Sequence, residues 1–209
     1  VRRVGATTRE ALERLYPDGI FEGRDPAAVA PAAPPARIVH HDGRGGVLVA
    51  VEENELMEHA GRLGGVIALV PRPGDFVAGG APLFHVWASQ AGVDDDRLRG
   101  AVVIESERTM HQDAAFGFRQ LVDVAERALS PGVNDPSTAV LALDELHDLL
   151  RLLAQRRIPS PLRVDAHGTL RLVLPRPGWE TYVHLALDEI RQYGAGSLQV
   201  SRRIRMLID

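Results

Sequence analysis

The sequence predicts an α+β fold: a small β-barrel-like or sandwich-like module followed by a mainly helical module with one β-hairpin. Between residues 37 and 87, short apolar runs alternate with glycine-rich turns, a pattern typical of strands. After Ala88 the apolar residues recur with the helical period of about 3.6 residues. The expected organisation is an N-terminal helix over 1–20, a Pro/Ala-rich linker over 21–36, the β module over 37–90 and the helical module over 91–209, with its hairpin near 161–175.

The N-terminal part is expected to begin as a helix. Thr7 and Glu10 have the spacing of a capping box, and Pro17 ends the helical pattern. The linker is rich in proline and alanine without periodicity, which predicts an extended or disordered segment. The β module then contains strands at 46–51, 66–70 and 82–87, with a short helix at 54–63 between the first two.

The second half of the chain shows helical patterns interrupted by one hairpin. Helices are predicted at Asp95–Glu107, at 116–129, from Pro136 with Asp135 as its N-cap, at 178–193 and from Ser197 onwards. The alternating residues of 162–164 and 170–174 predict the hairpin. Wide apolar faces at 139–153 and 179–190, the latter including Trp179, suggest burial against a second copy of the chain.

Composition limits the possible chemistry. The chain has 209 residues, of which 45% are apolar and 25% charged, enough for a buried core. All 24 basic residues are arginine, so no Schiff base, P-loop lysine or biotinylated or lipoylated lysine can exist. Without cysteine there is no disulfide, thiol nucleophile or cysteine-bound zinc. The net charge of −4 argues against nucleic acid as a partner, and we expect no cofactor.

A dense polar segment is the strongest candidate site. On a helix Arg119, Asp123 and Arg127 would form one face of alternating charge, followed by a capped helix–helix turn. A second interpretation is a partly buried network that holds an ion, or an anion at the start of the Pro136 helix near Arg127. The candidate residues are Glu107, Arg108, His111, Asp113, Arg119, Asp123, Arg127, Ser130, Asn134 and Asp135.

Other catalytic and metal patterns are weak. Glu107 and His111 stand four residues apart and could share a metal with Asp113, and His40-His41-Asp42 is a second possible cluster. Neither has the tight histidine spacing of zinc enzymes, so no metal is expected. Ser130 lacks the Gly-x-Ser-x-Gly elbow of serine hydrolases, and no glycine-rich dinucleotide motif joins a strand to a helix.

Two resemblances add to this interpretation. The turns of the β module, such as Pro73-Gly74-Asp75 and Gly79-Gly80, resemble those of the biotinyl/lipoyl-like barrel-sandwich module. The lysine that this family modifies has no counterpart here, so the resemblance implies a structural or interaction role.

The second resemblance covers nearly the whole chain and is to domain-of-unknown-function family 2254, a family of predicted bacterial membrane proteins. It implies a bundle of transmembrane helices followed by an extramembrane region. The matching motifs are residues 9–17, 72–77, 107–109, 112–113, 116–117, 119–123, 127–139 and 188–195.

The expected function follows from this resemblance. No apolar run reaches the roughly 18–20 residues that span a bilayer, and the chain opens without a signal peptide or initiator Met, as an excised or processed segment would. We expect a soluble domain on the cytoplasmic side of the bacterial inner membrane. It would form a homo-oligomer and couple to its own transmembrane region, gating or regulating transport. The alternative is an enzyme or ligand-binding domain with its site in the Glu107–Asp135 segment.

Overall fold

A computed structural model describes residues 1–20, 25–88 and 92–208. In these ranges the chain forms seven helices and eight strands, which confirms the α+β class. In chain order the elements are α1 (Arg2–Leu15), β1 (Arg37–His40), β2 (Gly46–Val51), α2 (Glu53–Leu63), β3 (Val66–Leu69), β4 (Phe76–Val77), β5 (Pro82–Trp87), α3 (Asp95–Gly100), β6 (Val102–Glu105), α4 (Ala114–Leu129), α5 (Pro136–Leu153), β7 (Leu162–Val164), β8 (Leu170–Val173), α6 (Trp179–Tyr193) and α7 (Leu198–Ile208).

The chain divides into two compact units. The helical unit comprises Val1–Glu22, Asp113–Ile158 and Pro177–Asp209, and contains α1 and α4 to α7. The β unit comprises Gly23–Gln112 and Pro159–Arg176, and contains every described strand together with α2 and α3. The expected module boundary at residue 90 falls within 89–91, outside the described residues.

The helical unit is held together by one apolar face from each of its helices. α5 contributes the longest stripe, with leucines at the spacings that recur on one side of a helix. These side chains pack with α4 and α1, while α7 lies against α5 and α6. Residues of this core include Leu12, Phe118, Leu121, Leu143, Leu146, Leu150, Tyr182, Ile190 and Val200.

An aromatic cluster joins three segments at the centre of the helical unit. The Tyr182 ring lies 4.9 Å from the Phe118 ring and meets Tyr16 edge-on at 6.4 Å between centroids. The Tyr16 and Tyr182 hydroxyl oxygens are 2.9 Å apart and share a hydrogen bond. Burying both phenols therefore leaves neither hydroxyl without a partner.

The β unit contains two sheets that share one apolar core. The larger sheet has the strand order β1-β5-β3-β8-β7, and the smaller has the order β4-β2-β6. Pairing is antiparallel except between β3 and β8, which are parallel with Ile67 opposite Leu172. Side chains from both sheets meet in the core, among them Val39 and Phe84 from the larger sheet and Leu48 from the smaller. The arrangement fits the sandwich-like module expected from the sequence.

Two predicted helical features are wrong. α1 begins at Arg2, so Thr7 and Thr8 lie inside the helix and donate their hydroxyls to the carbonyls four residues before them. The helix expected over Asp95–Glu107 ends at Gly100 and is followed by β6. Asp94 caps this short helix by accepting from the Arg97 N–H, and β6 pairs with β2.

The linker and the hairpin both make contacts with strands of the β unit. Of the linker, residues 21–24 lie outside the described residues, and 25–36 form no helix or strand. Its end is nevertheless bound to β5, because Trp87 Nε1 donates to the Ala33 carbonyl and the Ala36 N–H donates to the Val86 carbonyl. The hairpin forms as predicted but belongs to the β unit, where β8 pairs with β3.

α6 covers Trp179–Tyr193 as expected, but Trp179 in its first turn is 43% exposed, which corrects the inward position expected for it. In the described ranges, no helix combines the length and the apolarity needed to cross a membrane.

Candidate functional site

The structure divides the ten candidate residues between the two units. Glu107, Arg108 and His111 belong to the β unit, in the irregular segment that follows β6. The remaining seven, from Asp113 to Asp135, belong to the helical unit. The metal site suggested for Glu107 and His111 assumed one helical turn, and this segment is not helical. The helical spacing that would have brought Glu107 and His111 together is therefore not formed.

Gln112, which was not among the ten candidate residues, is anchored to β2. Its side-chain amide accepts from the Val51 N–H at 3.0 Å and donates to the Val51 carbonyl at 3.2 Å. The amide thus imitates a neighbouring strand at the end of β2 and holds the first part of the Glu107–Asp135 segment within the β unit.

Asp113 has a structural role at the start of α4. Its side chain is buried and accepts from the Phe116 N–H at 3.3 Å, which makes it the helix N-cap. Asp113 was expected as a possible metal ligand and not as a cap. The cap signal was available, since Asp113 directly precedes the helical period.

Arg119 is the centre of the polar cluster in the helical unit. Its Nε lies 2.7 Å from Asp123 Oδ1, the predicted contact one turn further along α4. Its Nη1 lies 2.5 Å from Glu189 Oε2 on α6, and its Nη2 lies 3.5 Å from Glu126 Oε2. The guanidinium therefore contacts two carboxylates of its own helix, and its pair with Glu189 connects α4 to α6. Among the described residues no carboxylate pairs with Arg127, so the predicted alternation does not continue to it.

Two of the carboxylates beside Arg119 influence each other. Burial, and next a hydrogen bond with Glu189, raise the pKa of the Glu126 carboxyl. The hydrogen bond from Glu126, together with the Arg119 guanidinium, lowers the pKa of Glu189. Glu126 is thus the member of the pair that takes up a proton first as the pH falls. Neither glutamate was among the candidate residues, and Glu189 lies far from Arg119 in sequence.

The turn between α4 and α5 satisfies its own polar groups. The Ser130 hydroxyl donates to the Arg127 carbonyl at 2.7 Å, and the Ser130 carbonyl accepts from the N–H groups of Val133 and Asn134. Asn134 has φ of 49°, a left-handed conformation that asparagine tolerates better than most residues. Ser130 and Asn134 therefore shape the turn that leads into α5.

Asp135 caps α5 as predicted. Its carboxylate accepts from the Thr138 N–H at 3.1 Å and from the Thr138 hydroxyl at 2.6 Å. These two bonds lower the pKa of Asp135. One interpretation of the sequence was an anion bound by the amides at the start of α5. The Asp135 carboxylate itself occupies that position.

Replacing Asp135 with alanine should lower the melting temperature by about 2–4 °C, because the first turn of α5 loses its cap. Asp135→Asn should keep most of the stability, since an amide oxygen can also accept from the Thr138 N–H. The lowered pKa means that the cap is lost as the pH falls, so the deficit should shrink below about pH 4. Thermal melts of the three proteins followed by circular dichroism test this, and an equal loss in both variants would contradict capping.

The second histidine cluster is engaged in local contacts. His41 Nε2 bonds to the Arg44 carbonyl at 2.8 Å, and Asp42 pairs with Arg99 at 3.5 Å. Over residues 1–20, 25–88 and 92–208, no group of three histidine, aspartate or glutamate side chains has metal-binding geometry.

A groove of about 300 Å³ lies in the helical unit between α6 and α7. It is lined by Arg191, Ser201, Ile204, Arg205 and Ile208, so none of the ten candidate residues borders it. This surface has no continuous signal in the sequence, because its residues lie on two helices.

Comparison with known proteins identifies a protein family but no biochemical activity. An uncharacterized protein of Mycobacterium tuberculosis is 36% identical over 203 residues, which cover 92% of this chain and 38% of the relative. An uncharacterized protein of Mycobacterium bovis matches with the same identity and coverage. The chain thus spans less than half of the length of these relatives, and no solved structure shows significant similarity to it. The profile of the family described as "Predicted membrane protein (DUF2254)" matches residues 1–209, and the chain belongs to this family.

Proposed function

We propose that this chain is an extramembrane domain of a bacterial membrane protein and that it regulates the membrane part to which it is joined. The observation that supports this is the polarity of the outward helix faces. Arg9 of α1 pairs with Asp148 of α5 at 2.8 Å, and both side chains are partly exposed. Exposed charged side chains are solvated in water, whereas charged side chains facing hydrocarbon cost several kcal/mol each, roughly 2.5–3.5 on insertion scales.

A regulatory role fits the Glu107–Asp135 segment better than catalysis does. In the helical unit Asp113 and Asp135 are helix caps, and Arg119 is bound by Asp123 and Glu189. Residues engaged in this way position helices, whereas a catalytic set converges on a cavity that admits substrate. The competing enzyme would need such a cavity beside these residues. We therefore expect no hydrolase activity against ester, phosphoester or peptide substrates, and turnover abolished by Arg119→Gln would contradict the proposal.

Self-association is the second part of the proposal. Most of the apolar face of α5 is covered inside the helical unit, so that face does not require a second copy of the chain for its burial. What stays exposed on α5 and α6 includes Leu141, at 48%, and Trp179. We expect light scattering over a concentration series to show a dimer that Leu141→Ser weakens by roughly tenfold. Val133→Ser, the same kind of change in an exposed turn, should leave association unchanged, and a monomer at every concentration would contradict this part.

The proposed position on the cytoplasmic side can be tested by labelling a single introduced cysteine, because the chain contains none of its own. Gly132 lies in an exposed turn, and a Cβ atom added there would meet no neighbouring atom within 4 Å. In a full-length family member containing this chain, with other cysteines replaced, Gly132→Cys should resist a membrane-impermeant maleimide in intact cells and react after lysis. Labelling in intact cells would reject the cytoplasmic side, and protection in both states would reject the extramembrane domain.

A further inference from the structure

One face of α7 combines exposed apolar side chains with exposed arginines. Leu198, Met206 and Ile208 are 64–69% exposed, so three large apolar side chains of this helix face solvent. Arg202 and Arg205 are exposed on the same helix. Residues 198, 202, 205 and 206 have the spacing i, i+4, i+7 and i+8, so they lie on one side of α7.

Neighbouring α6 adds a third cation to this face. Arg191 lines the α6–α7 groove together with Arg205 and Ile208, so it lies beside them. Over the part of the chain that the structure describes, no carboxylate forms an ion pair with Arg191, Arg202 or Arg205. By contrast Arg203, on the inner side of α7, pairs with Asp144 at 2.5 Å and donates to His147 Nδ1 at 2.8 Å. The inner arginine thus fixes α7 to α5, while the outer ones are available to a partner.

We propose that this cationic and apolar face of α7 binds an anionic lipid surface. We name it the α7 face and define it by Arg191, Leu198, Arg202, Arg205, Met206 and Ile208. The inference deepens the proposed function and rests on it, since it identifies the membrane surface as the partner of an extramembrane domain.

Charge complementarity favours an anionic lipid surface over a second copy of the chain as the partner of the α7 face. A symmetric contact between two copies would bring the same three guanidiniums of each copy together, and their repulsion opposes such a dimer. An anionic bilayer attracts each arginine near its surface by about 1 kcal/mol. The exposed leucine, methionine and isoleucine can enter the boundary between headgroups and acyl chains, as in helices that lie in the membrane interface. The long arginine side chains reach the phosphates from the same helix face.

The test is co-sedimentation of the whole chain with lipid vesicles. Vesicles containing phosphatidylglycerol in phosphatidylcholine should bind the chain, and pure phosphatidylcholine vesicles should bind it far more weakly. Raising the salt from roughly 0.05 to 0.5 M should release the chain, because screening weakens the attraction. The triple change Arg191→Gln, Arg202→Gln and Arg205→Gln should lower the partition coefficient on the order of 100-fold. The pair Leu198→Ser and Met206→Ser should lower it by roughly tenfold or more.

A matched control removes the same net charge elsewhere. Arg2, Arg3 and Arg44 are exposed and lie outside the α7 face, so their joint replacement by glutamine should reduce binding by less than about fivefold. Equal loss in the two triple variants would overturn the proposal, as would equal binding to both kinds of vesicle. A dimer that dissociates only in the α7-face variant would assign the face to a second copy instead. Circular dichroism establishes that each variant is folded.

The outcome is separable from that of the proposed function. Absence of vesicle binding, with maleimide labelling that still indicates an extramembrane cytoplasmic domain, would reject only the lipid-binding face. Labelling that rejects the extramembrane domain would instead remove the premise on which the lipid-binding face rests.

Discussion

Gly117→Ala should lower the free energy of unfolding of the helical unit by about 2 kcal/mol, although alanine is the better helix former by about 1 kcal/mol. Gly117 lies in α4 where α1 crosses it. A Cβ atom at this position would come within 2.0 Å of Thr8 Oγ1 and 2.6 Å of Thr8 Cγ2. Thr8 is fully buried and its hydroxyl already donates to the Val4 carbonyl, so α1 must move away from α4 to admit the methyl group.

Two comparisons identify the cause of that loss. Gly61 lies in α2, and a methyl group added there would meet no atom within 4 Å, so Gly61→Ala should raise the free energy of unfolding by about 0.5–1 kcal/mol. Thr8→Gly should be less harmful in the Gly117→Ala background than alone, because it removes the atoms that clash. Urea denaturation followed by circular dichroism measures the wild type and these variants, and a Gly117→Ala protein as stable as the wild type would contradict the close helix crossing.

Local sequence signals predicted the elements that depend on local interactions. The start of α5 is the clearest example, since Asp135 supplies the cap and Pro136 occupies the first helical position. β2 and β5 have the predicted bounds because glycine-rich turns delimit them on the sequence. The ion pair between Arg119 and Asp123 was predictable for the same reason, as one helical turn separates the two residues.

Elements that depend on distant partners were not predictable in this way. The segment at 102–105 is a short apolar run that fits a helix or a strand equally well, and its pairing with β2 decides the outcome. The hairpin was predicted, but its parallel pairing with β3, which places it in the β unit, has no signal in its own residues. Glu189 was not among the candidates because only the packing of α6 on α4 brings it to Arg119.

Apolar periodicity also proved ambiguous about partners. The wide stripe on α5 suggested a contact between subunits, whereas Leu143, Leu146 and Leu150 are covered by helices of the same unit. The periodic pattern reports that a face is buried but not which chain covers it. α7 shows the opposite case, because its buried face is short and consists of Val200 and Ile204. Its exposed apolar residues are interspersed with arginines, so the sequence shows no continuous apolar stripe there.

His59→Leu should stabilise the β unit by about 1–3 kcal/mol at neutral pH. His59 is 6% exposed in the last half of α2, and neither ring nitrogen has a hydrogen-bond partner among the described residues. A neutral imidazole contains one N–H donor, so its burial here leaves a polar group unsatisfied. Leucine has a similar volume and no such group, so the surrounding core should accept it with little rearrangement.

The same substitution should change how stability depends on pH. Burial, reinforced by the charges of Arg62 and Arg97 against the opposing charge of Asp94, lowers the pKa of His59 in the folded protein. As the pH falls through about 6.5, the unfolded chain therefore binds a proton before the folded chain does, and stability is lost at up to about 1.4 kcal/mol per pH unit. His147 in the helical unit also has a lowered pKa, caused by burial and next by Arg203, so some acid sensitivity should persist in the variant.

The decisive measurement is the free energy of unfolding of the wild type and His59→Leu between pH 7.5 and 5. The two curves should diverge as the pH falls, because only the wild type retains the buried imidazole that must stay neutral in the fold. His167→Leu makes the same chemical change in the exposed hairpin turn and should alter stability at pH 7.5 by less than about 0.5 kcal/mol. Parallel curves for wild type and His59→Leu would mean that the folded state accommodates the imidazolium. A destabilised His59→Leu would instead mean that the ring donates a hydrogen bond which supports the end of α2.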